Sequence, residues 1–142
     1  LSALQQVFEI NTFLPMRILG ALTSALKQSS APRIAVLSAR VGSIGDNRSG
    51  GWYSYRGSKA ALNMMLKCAA LELHRSNPAT KLMAYHPGTV DTPLSKPFQA
   101  GVAQDKLFSP ARAAEALDRA VTRFETEGDL AYLDWQGEAI PW

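Results

Sequence analysis

Two short apolar runs separated by a long helical pattern constrain the fold of this chain more than any other feature. Arg33–Leu37 and Lys81–His86 are nearly continuous apolar runs, as expected for strands that are covered on both faces. Residues 53–76 lie between them and carry apolar residues at helical spacing. A last strand is predicted near residues 130–135. This alternation predicts an α/β fold with a parallel sheet of about three strands flanked by helices.

Helices are also predicted at both ends of this core. Residues 2–28 show apolar side chains at roughly helical spacing, and Pro15 predicts a kink or break near the two residues that precede it. Ser109 and Pro110 form an N-cap followed by a first-turn proline, so another helix should begin there. Residues 93–108 are polar and irregular, and we interpret them as a substrate lid.

The composition is that of one ordinary globular domain, residues 1–142. Hydrophobic residues make up 46% and charged residues 19%, and the net charge is only +3 with scattered basic residues. This pattern argues against a nucleic-acid partner. The single cysteine, Cys68, permits no internal disulfide, and its apolar helical context predicts a buried thiol. With no apolar run long enough for a membrane span, we expect a soluble cytoplasmic protein.

Tyr55 and Lys59 are the first candidates for chemistry. They lie four residues apart, so they share a face near the start of the long helix, where the helix dipole is positive. An adjacent ammonium should lower the pKa of the phenol below its usual value of about 10. A phenol tuned in this way can exchange a proton with an alcohol or carbonyl oxygen. A serine hydrolase built on Ser58 and Lys59 is disfavoured, because adjacent helical residues do not face each other.

Five segments have an order along the chain that is itself informative. They are Ile10-Asn11-Thr12-Phe13, Arg33-Ile34-Ala35-Val36-Leu37-Ser38-Ala39-Arg40-Val41-Gly42, Tyr55-Arg56-Gly57-Ser58-Lys59-Ala60-Ala61-Leu62, His86-Pro87-Gly88-Thr89-Val90-Asp91-Thr92, and Tyr132-Leu133-Asp134-Trp135-Gln136-Gly137 with the closing Pro141-Trp142. Together they resemble the short-chain dehydrogenase/reductase family, and the last segment resembles its C-factor-like, carbonyl-reductase-like branch. The resemblance implies the C-terminal part of a Rossmann-like doubly wound fold.

The same resemblance implies an oxidoreductase that moves hydride between NAD(P)(H) and a small-molecule carbonyl or alcohol. Tyr55 would be the acid/base, and Lys59 would lower its pKa and hold the nicotinamide ribose. Asn11 would hold a water that links the lysine to solvent. The alternative for Asn11 is that it satisfies backbone groups freed by Pro15.

The turn after the second strand is implied to receive the nicotinamide. Pro87 and Gly88 would shape this turn, while backbone groups near Val90 and the hydroxyl of Thr92 would meet the carboxamide. Ligands in open α/β sheets bind beyond the carboxyl ends of the strands, which is where this turn lies. We interpret His86, at the end of the strand, as structural.

The position of the family's catalytic serine is occupied by Ala39. Ser43 is the favoured substitute, since it lies 12 residues before Tyr55. Ser38 is the second candidate, although strand alternation should point it to the other side. Either hydroxyl would orient the substrate oxygen. The alternative is that neither serves and Ser43 only makes a turn hydrogen bond.

Three apolar side chains are expected to line the substrate pocket: Trp52, Tyr53 and Leu94. The two aromatic residues come directly before the Tyr55 turn, and Leu94 lies in the lid segment.

One family feature is missing from the 142 residues, namely the Gly-x-x-x-Gly-x-Gly phosphate loop. The chain therefore reads as the C-terminal portion of a family member, which makes cofactor binding and activity doubtful. A catalytically silent chain that acts as an oligomeric assembly module is the alternative function. Because the strand at Arg33–Leu37 would lack a neighbour, we expect a homodimer or higher homo-oligomer that covers its edge or the helices beside it.

Overall fold

The computed structural model describes residues 1–126 and 128–142, and only the backbone of Phe98. The α-helices are α1 (Ser2–Phe8), α2 (Leu14–Gln28), α3 (Tyr53–Ser76) and α4 (Pro110–Arg123). The strands are β1 (Arg33–Leu37), β2 (Lys81–His86), β3 (Thr89–Val90), β4 (Leu107–Phe108) and β5 (Leu130–Asp134). Single 3₁₀ turns lie at Arg40–Gly42, Lys96–Phe98 and Gln104–Lys106.

The main sheet has three parallel strands in the order β1-β2-β5. Arg33 pairs with Lys81 at one end, and His86 pairs with Asp134 at the other. The predicted α/β fold with a three-stranded parallel sheet is therefore confirmed. A second, two-stranded parallel sheet joins β3 to β4, and β4 lies at the end of residues 93–108, which the sequence predicted to be irregular.

Successive side chains of the strands are buried against helices on opposite faces of the sheet. Leu82 and Ala84 of β2 pack with Leu62 and Leu66 of α3, and α2 closes this layer. On the other face, Met83 and Tyr85 of β2 join Phe124 and the apolar stripe of α4. Period-2 alternation in the strand and a 3.6-residue period in the helices produce this three-layer arrangement.

The predicted irregularity before Pro15 is present. The first helical region is interrupted by a π-helical turn, Glu9–Phe13, and resumes as α2 with Pro15 in its first turn. Proline has no N–H to donate and its ring displaces the preceding carbonyl, so a widened turn before it is the expected response. Asn11 lies inside this turn.

The long helix α3 has a narrower buried face than its sequence suggested. Leu62, Leu66, Ala70 and Leu73 are buried along one stripe. Cys68 is exposed, so the prediction of a buried thiol is wrong. Large apolar residues at the surface of this helix include Met64, Met65 and Leu71, and Tyr53 and Tyr55 at its start. Burial of both faces would require a partner that the described chain does not itself provide.

The two edges of the main sheet differ. The outer side of β5 meets a returning segment, because Leu133 forms an antiparallel bridge with Ala139. The outer side of β1 pairs with no strand of the described chain, and Leu37 at its end is 54% exposed. Among the described residues, no helix combines the length and apolar character that crossing a bilayer requires.

Candidate active site

The first turns of α3 carry the two residues that the sequence singled out. Trp52 caps this helix in the left-handed conformation, with φ of 48°, and α3 begins at Tyr53. Arg56 holds the preceding loop to the helix through bonds to the carbonyls of Gly50 and Gly51, each 3.1 Å long. The loop and the helix start are therefore tied together.

Lys59 reaches the carboxyl end of the sheet. Its side chain is only 9% exposed, and its Nζ donates to the carbonyl of Leu37 over 2.9 Å. Burial lowers the pKa of this ammonium below its usual value. An ammonium has three donors and Leu37 accepts one, so further donors can serve the hydroxyls of a ribose.

Tyr55 differs from the prediction in its electrostatics. Its pKa is raised, not lowered, and the cause is loss of solvent around the phenol. Tyr55 is 39% exposed, so the phenol loses only part of its solvent. A raised pKa favours the protonated phenol at neutral pH.

A chain of hydrogen bonds joins Asn11 to the same helix turn. Asn11 Nδ2 donates to Ser58 Oγ over 3.1 Å, and that hydroxyl donates to the carbonyl of Tyr55 over 2.8 Å. Thr12 donates to the carbonyl of Ser58 over 2.8 Å. The structure thus brings Asn11 to the candidate site through Ser58, which is fully buried.

Both candidate serines are buried and use their hydroxyl protons inside the fold. Ser43 donates to the carbonyl of Pro141 and accepts from the amide of Asp46 over 2.9 Å, as in a turn bond. Ser38 donates to Asn63 Oδ1 over 2.6 Å. Its side chain therefore points to α3.

Two residues of the site were missed as functional candidates. A Cβ on Gly42 would lie 2.9 Å from Lys59 Cβ and 3.2 Å from Asn63 Nδ2, so the loop backbone lies directly on α3 at these positions. Asn63 is buried beside Leu62 and Leu66. A polar residue within the apolar stripe of a helix was the signal that could have found it.

The strand β2 ends at His86, directly before Pro87-Gly88, as the sequence predicted. Gly88 adopts φ of 77°, and a Cβ there would lie 2.8 Å from Phe108 Cε2, so glycine is required twice over. Val90 accepts a hydrogen bond from Ser95, which also accepts from the amide of Thr92 over 3.3 Å. This turn follows His86 at the carboxyl end of the sheet.

His86 itself is half-buried at the end of β2. Its Nδ1 has no hydrogen-bond partner within the described residues. Burial, together with the charge of Arg40, lowers its pKa to about 4, against a smaller opposing effect of Asp134. These surroundings fit the structural interpretation of His86.

The three predicted pocket residues are all at the surface. Tyr53 is 89% exposed and Leu94 is 83% exposed. Trp52 is half exposed, with the guanidinium of Arg56 5.8 Å from its ring centroid. They lie at the start of α3 and in the segment of residues 93–108 without forming an enclosed wall of their own.

Comparison with known proteins identifies the lineage. The family model described as short chain dehydrogenase matches residues 1–103. The chain belongs to the short-chain dehydrogenase family. This membership covers the π-helical turn with Asn11, the start of α3 and the turn after β2.

Several members of the family are similar along nearly the whole chain. C-signal of Myxococcus xanthus is 33% identical over 137 residues, covering 96% of this chain and 77% of C-signal. 1-Hydroxy-2-glutathionyl-2-methyl-3-butene dehydrogenase of Rhodococcus sp. (strain AD45) is 34% identical over 143 residues, covering 98% of this chain and 58% of that enzyme.

A solved structure supports the fold. NADPH-bound carbonyl reductase from chicken fatty liver superimposes with a TM-score of 0.83 at 24% identity, covering 100% of this chain and 58% of that chain. This short-chain dehydrogenase therefore spans a little over half the length of the Rhodococcus enzyme and of the chicken carbonyl reductase.

Proposed function

We propose that this short-chain dehydrogenase transfers hydride between a nicotinamide cofactor, NAD(P)(H), and a carbonyl or alcohol substrate. The observation that carries the proposal is the arrangement at the start of α3. Tyr55 and Lys59 lie one turn apart, and the Lys59 ammonium reaches the Leu37 carbonyl at the carboxyl end of β1. That end of an open parallel sheet is where ligands bind.

In this proposal the residues of the chain handle the proton and the positioning. Tyr55, protonated at neutral pH, donates its proton to the substrate oxygen. Lys59 holds the nicotinamide ribose with its remaining donors. Asn11 supports the proton relay, as its contact with Ser58 keeps it beside the helix turn. The hydride would come from the bound cofactor.

The remaining cofactor contacts are assigned to the turn after β2. Pro87 and Gly88 hold the backbone in place, and Val90 with Thr92 meets the carboxamide. The residues present fit the nicotinamide end of the cofactor. For the pyrophosphate, the Gly-rich loop that normally supplies N–H donors does not occur in the 142 residues.

The orienting hydroxyl has two candidates. Ser43 and Ser38 each would have to exchange an internal acceptor for the substrate oxygen. If Ser43 serves, Ser43→Ala should lower kcat by a factor of about 100 or more, the range for one lost oxyanion donor. Ser38→Ala is the matched comparison, and an equal small effect of both variants would assign the hydroxyl role to neither.

Isothermal titration with NADPH and NADH tests the proposal directly. Submillimolar binding, together with carbonyl reduction that Tyr55→Phe abolishes, would support it. Tyr53→Phe is the matched control, since it removes a phenol from the same helix turn while leaving Tyr55 in place. Absence of binding at millimolar cofactor would contradict the proposal for this chain.

An assembly module without cofactor binding is the second candidate. It is favoured by an apolar surface on α2, where exposed apolar side chains recur every fourth residue. These are Ile10 in the preceding π-helical turn and Leu14, Ile18 and Leu22 in α2. We propose that a second copy covers this surface and the exposed Met64 of α3, giving a homodimer under either function.

The proposed compartment is the cytoplasm. A single cysteine, exposed on α3, suits a reducing environment, which is also where reduced nicotinamide cofactors are used. Fractionation of the native host, with detection of the chain in the cytosolic fraction, tests this assignment.

A further inference from the structure

The last strand and the segment after it form hydrogen bonds with the loop that precedes α3. We call residues 130–142 the C-terminal hairpin and residues 38–47 the serine loop. Tyr132 Oη donates to the carbonyl of Ala39 over 2.7 Å in a buried position. Asp134 Oδ2 accepts from Arg40 Nη2 over 2.8 Å, and the Asp134 side chain is nearly buried. Two successive loop residues are thus held by the strand.

The returning segment binds the same loop further along. Ser43 donates to the carbonyl of Pro141, and the amide of Gly45 donates to the carbonyl of Trp142 over 2.7 Å. The Trp142 ring lies against Tyr132, with the ring centroids 5.0 Å apart. Contacts to loop positions 39, 40, 43 and 45 therefore come from one hairpin, which leaves the loop little freedom.

The opposite side of the serine loop packs on α3. Gly42 packs on the backbone and Cβ of Lys59, where a methyl group would not fit. Asn63, one turn further, accepts from Ser38, and a hydrogen bond from Asn63 lowers the otherwise raised pKa of Tyr132. The hairpin, the loop and α3 thus form one continuous packed unit.

We propose that Tyr132, Asp134 and Trp142 are positioning residues for Lys59, acting through the serine loop. The C-terminal hairpin holds Gly42 against α3. This contact maintains the hydrogen bond from the Lys59 ammonium to the Leu37 carbonyl and shields the ammonium from water. The inference rests on the proposed function where it concerns catalysis. The position and hydration of Lys59 can be measured without a cofactor.

The contacts explain why the hairpin, and not α3 alone, sets this position. A lysine on the first turns of a helix normally keeps its ammonium in water. For Lys59 the serine loop opposes this, because Gly42 lies against the Cβ of the lysine. The four hairpin contacts oppose opening of this loop. Loss of a contact should therefore hydrate Lys59 and leave the core of α3 intact.

NMR titration of ¹³Cε-lysine-labelled protein tests this claim. Burial lowers the pKa of Lys59, so a loosened loop should raise it toward the usual value. In Tyr132→Phe we expect an upward shift of at least about half a unit, the scale of a partial loss of desolvation. Asp134→Asn and Trp142→Ala should shift it in the same direction.

Tyr85→Phe is the matched control. It also removes a fully buried phenol hydroxyl from a sheet strand, but on the α4 face, and this hydroxyl has no hydrogen-bond partner among the described residues. The pKa of Lys59 should stay unchanged in this variant. An equal shift in Tyr85→Phe would mean that general loosening of the core moves Lys59, and would overturn the proposal.

Hydrogen exchange separates local from global effects. In Tyr132→Phe and Trp142→Ala the amides of Gly42 and Gly45 should exchange at least about tenfold faster, while Leu66 in the core of α3 keeps its rate. Faster loop exchange with an unchanged Lys59 titration would overturn the proposal, since the hairpin would then hold the loop alone. If Tyr132→Phe does not fold, Trp142→Ala carries the test.

The cofactor experiments remain independent of this one. If the Lys59 shift is seen and NADPH does not bind, the proposed function fails while the positioning claim stands. If NADPH binds and the Lys59 titration is insensitive to the hairpin, the positioning claim fails alone.

Discussion

Tyr55 and Lys59 show how far a helical spacing alone determines a site. The spacing correctly placed both residues on the first turns of α3. It could not reveal that Leu37, 22 positions away, would take the ammonium. Nor could it reveal how much water each group loses on folding. The predicted direction of the Tyr55 pKa was wrong for that reason, since desolvation depends on the whole surrounding packing.

The ionisation of Tyr55 can be measured without substrate. Because burial raises its pKa, the phenolate absorbance near 295 nm that Tyr55→Phe removes should appear only above pH 10. The difference spectrum between the parent chain and Tyr55→Phe isolates this phenol. A midpoint below pH 10 would instead support the sequence-based expectation of a phenol acidified by Lys59.

His86 predicts a loss of stability in mild acid. Its pKa in the folded chain is about 4, below the unfolded value of 6.5, so its contribution is complete above pH 6.5 and is lost as the pH falls through about 4. The total effect is up to about 3 kcal/mol in the free energy of unfolding.

Urea unfolding of the parent chain and His86→Gln at pH 7 and pH 4 checks this prediction. The parent should lose more stability than the variant between these two values. The titration of His86 by ¹H NMR should have its midpoint near pH 4. Equal losses in both proteins would show that other groups dominate the acid response.

At the scale of elements, the packing of the serine loop on α3 predicts the effect of Gly42→Ala. A Cβ there would lie 2.9 Å from Lys59 Cβ and 3.0 Å from its backbone carbon, so the loop or the helix must move. We expect a loss of about 1–3 kcal/mol in the free energy of unfolding, the usual range for overpacking.

Gly20→Ala is the matched control for Gly42→Ala. Gly20 lies in α2, and a Cβ there meets no atom within 4 Å. The variant should gain about 0.5–1 kcal/mol, because alanine favours the helix. Both values come from urea unfolding under the same conditions. If Gly42→Ala is as stable as the parent, the serine loop can move to accommodate the methyl group with no loss in the free energy of unfolding.

Elements set by local signals were predictable, and those set by distant contacts were not. The bounds of β1, α3 and β2 agree with the apolar periodicity, and Ser109 caps α4 by accepting from the amide of Arg112 over 3.2 Å. The pairing of β3 with β4 was missed, because neither two-residue strand has a periodicity of its own.

The docking of the C-terminal hairpin was missed for a related reason. Its contacts join residues 93 to 98 positions apart in the chain, as in the bonds from Tyr132 to Ala39 and from Ser43 to Pro141. The sequence motifs therefore located the helix of the site correctly. The use of both candidate serines inside the fold follows from long-range packing that no motif encodes.

At the scale of the whole molecule, the exposed apolar surface of α2 predicts self-association. Ile18 is 54% exposed in the centre of the surface that we propose a second copy covers. Ile18→Glu would place an unpaired carboxylate in that contact and should raise the dimer dissociation constant at least about tenfold. Sedimentation velocity over a range of protein concentrations measures this change.

The control for Ile18→Glu adds the same charge elsewhere. Ala111→Glu lies in the exposed first turn of α4, where a negative charge is well tolerated and the proposed contact is absent. It should leave the dissociation constant unchanged. A parent chain that sediments as a folded monomer at high micromolar concentration would exclude the proposed dimer altogether.

The two edges of the main sheet differ in whether they can pair with a strand of a second copy, and this difference limits self-association. The returning segment with Ala139 shields β5 at Leu133, whereas the outer side of β1 pairs with no strand among the described residues. Two copies that joined through β1 would form one continuous six-stranded sheet whose outer rims are both closed. Growth by strand addition would end at that pair, so this mode of association is self-limiting and cannot extend into a fibre.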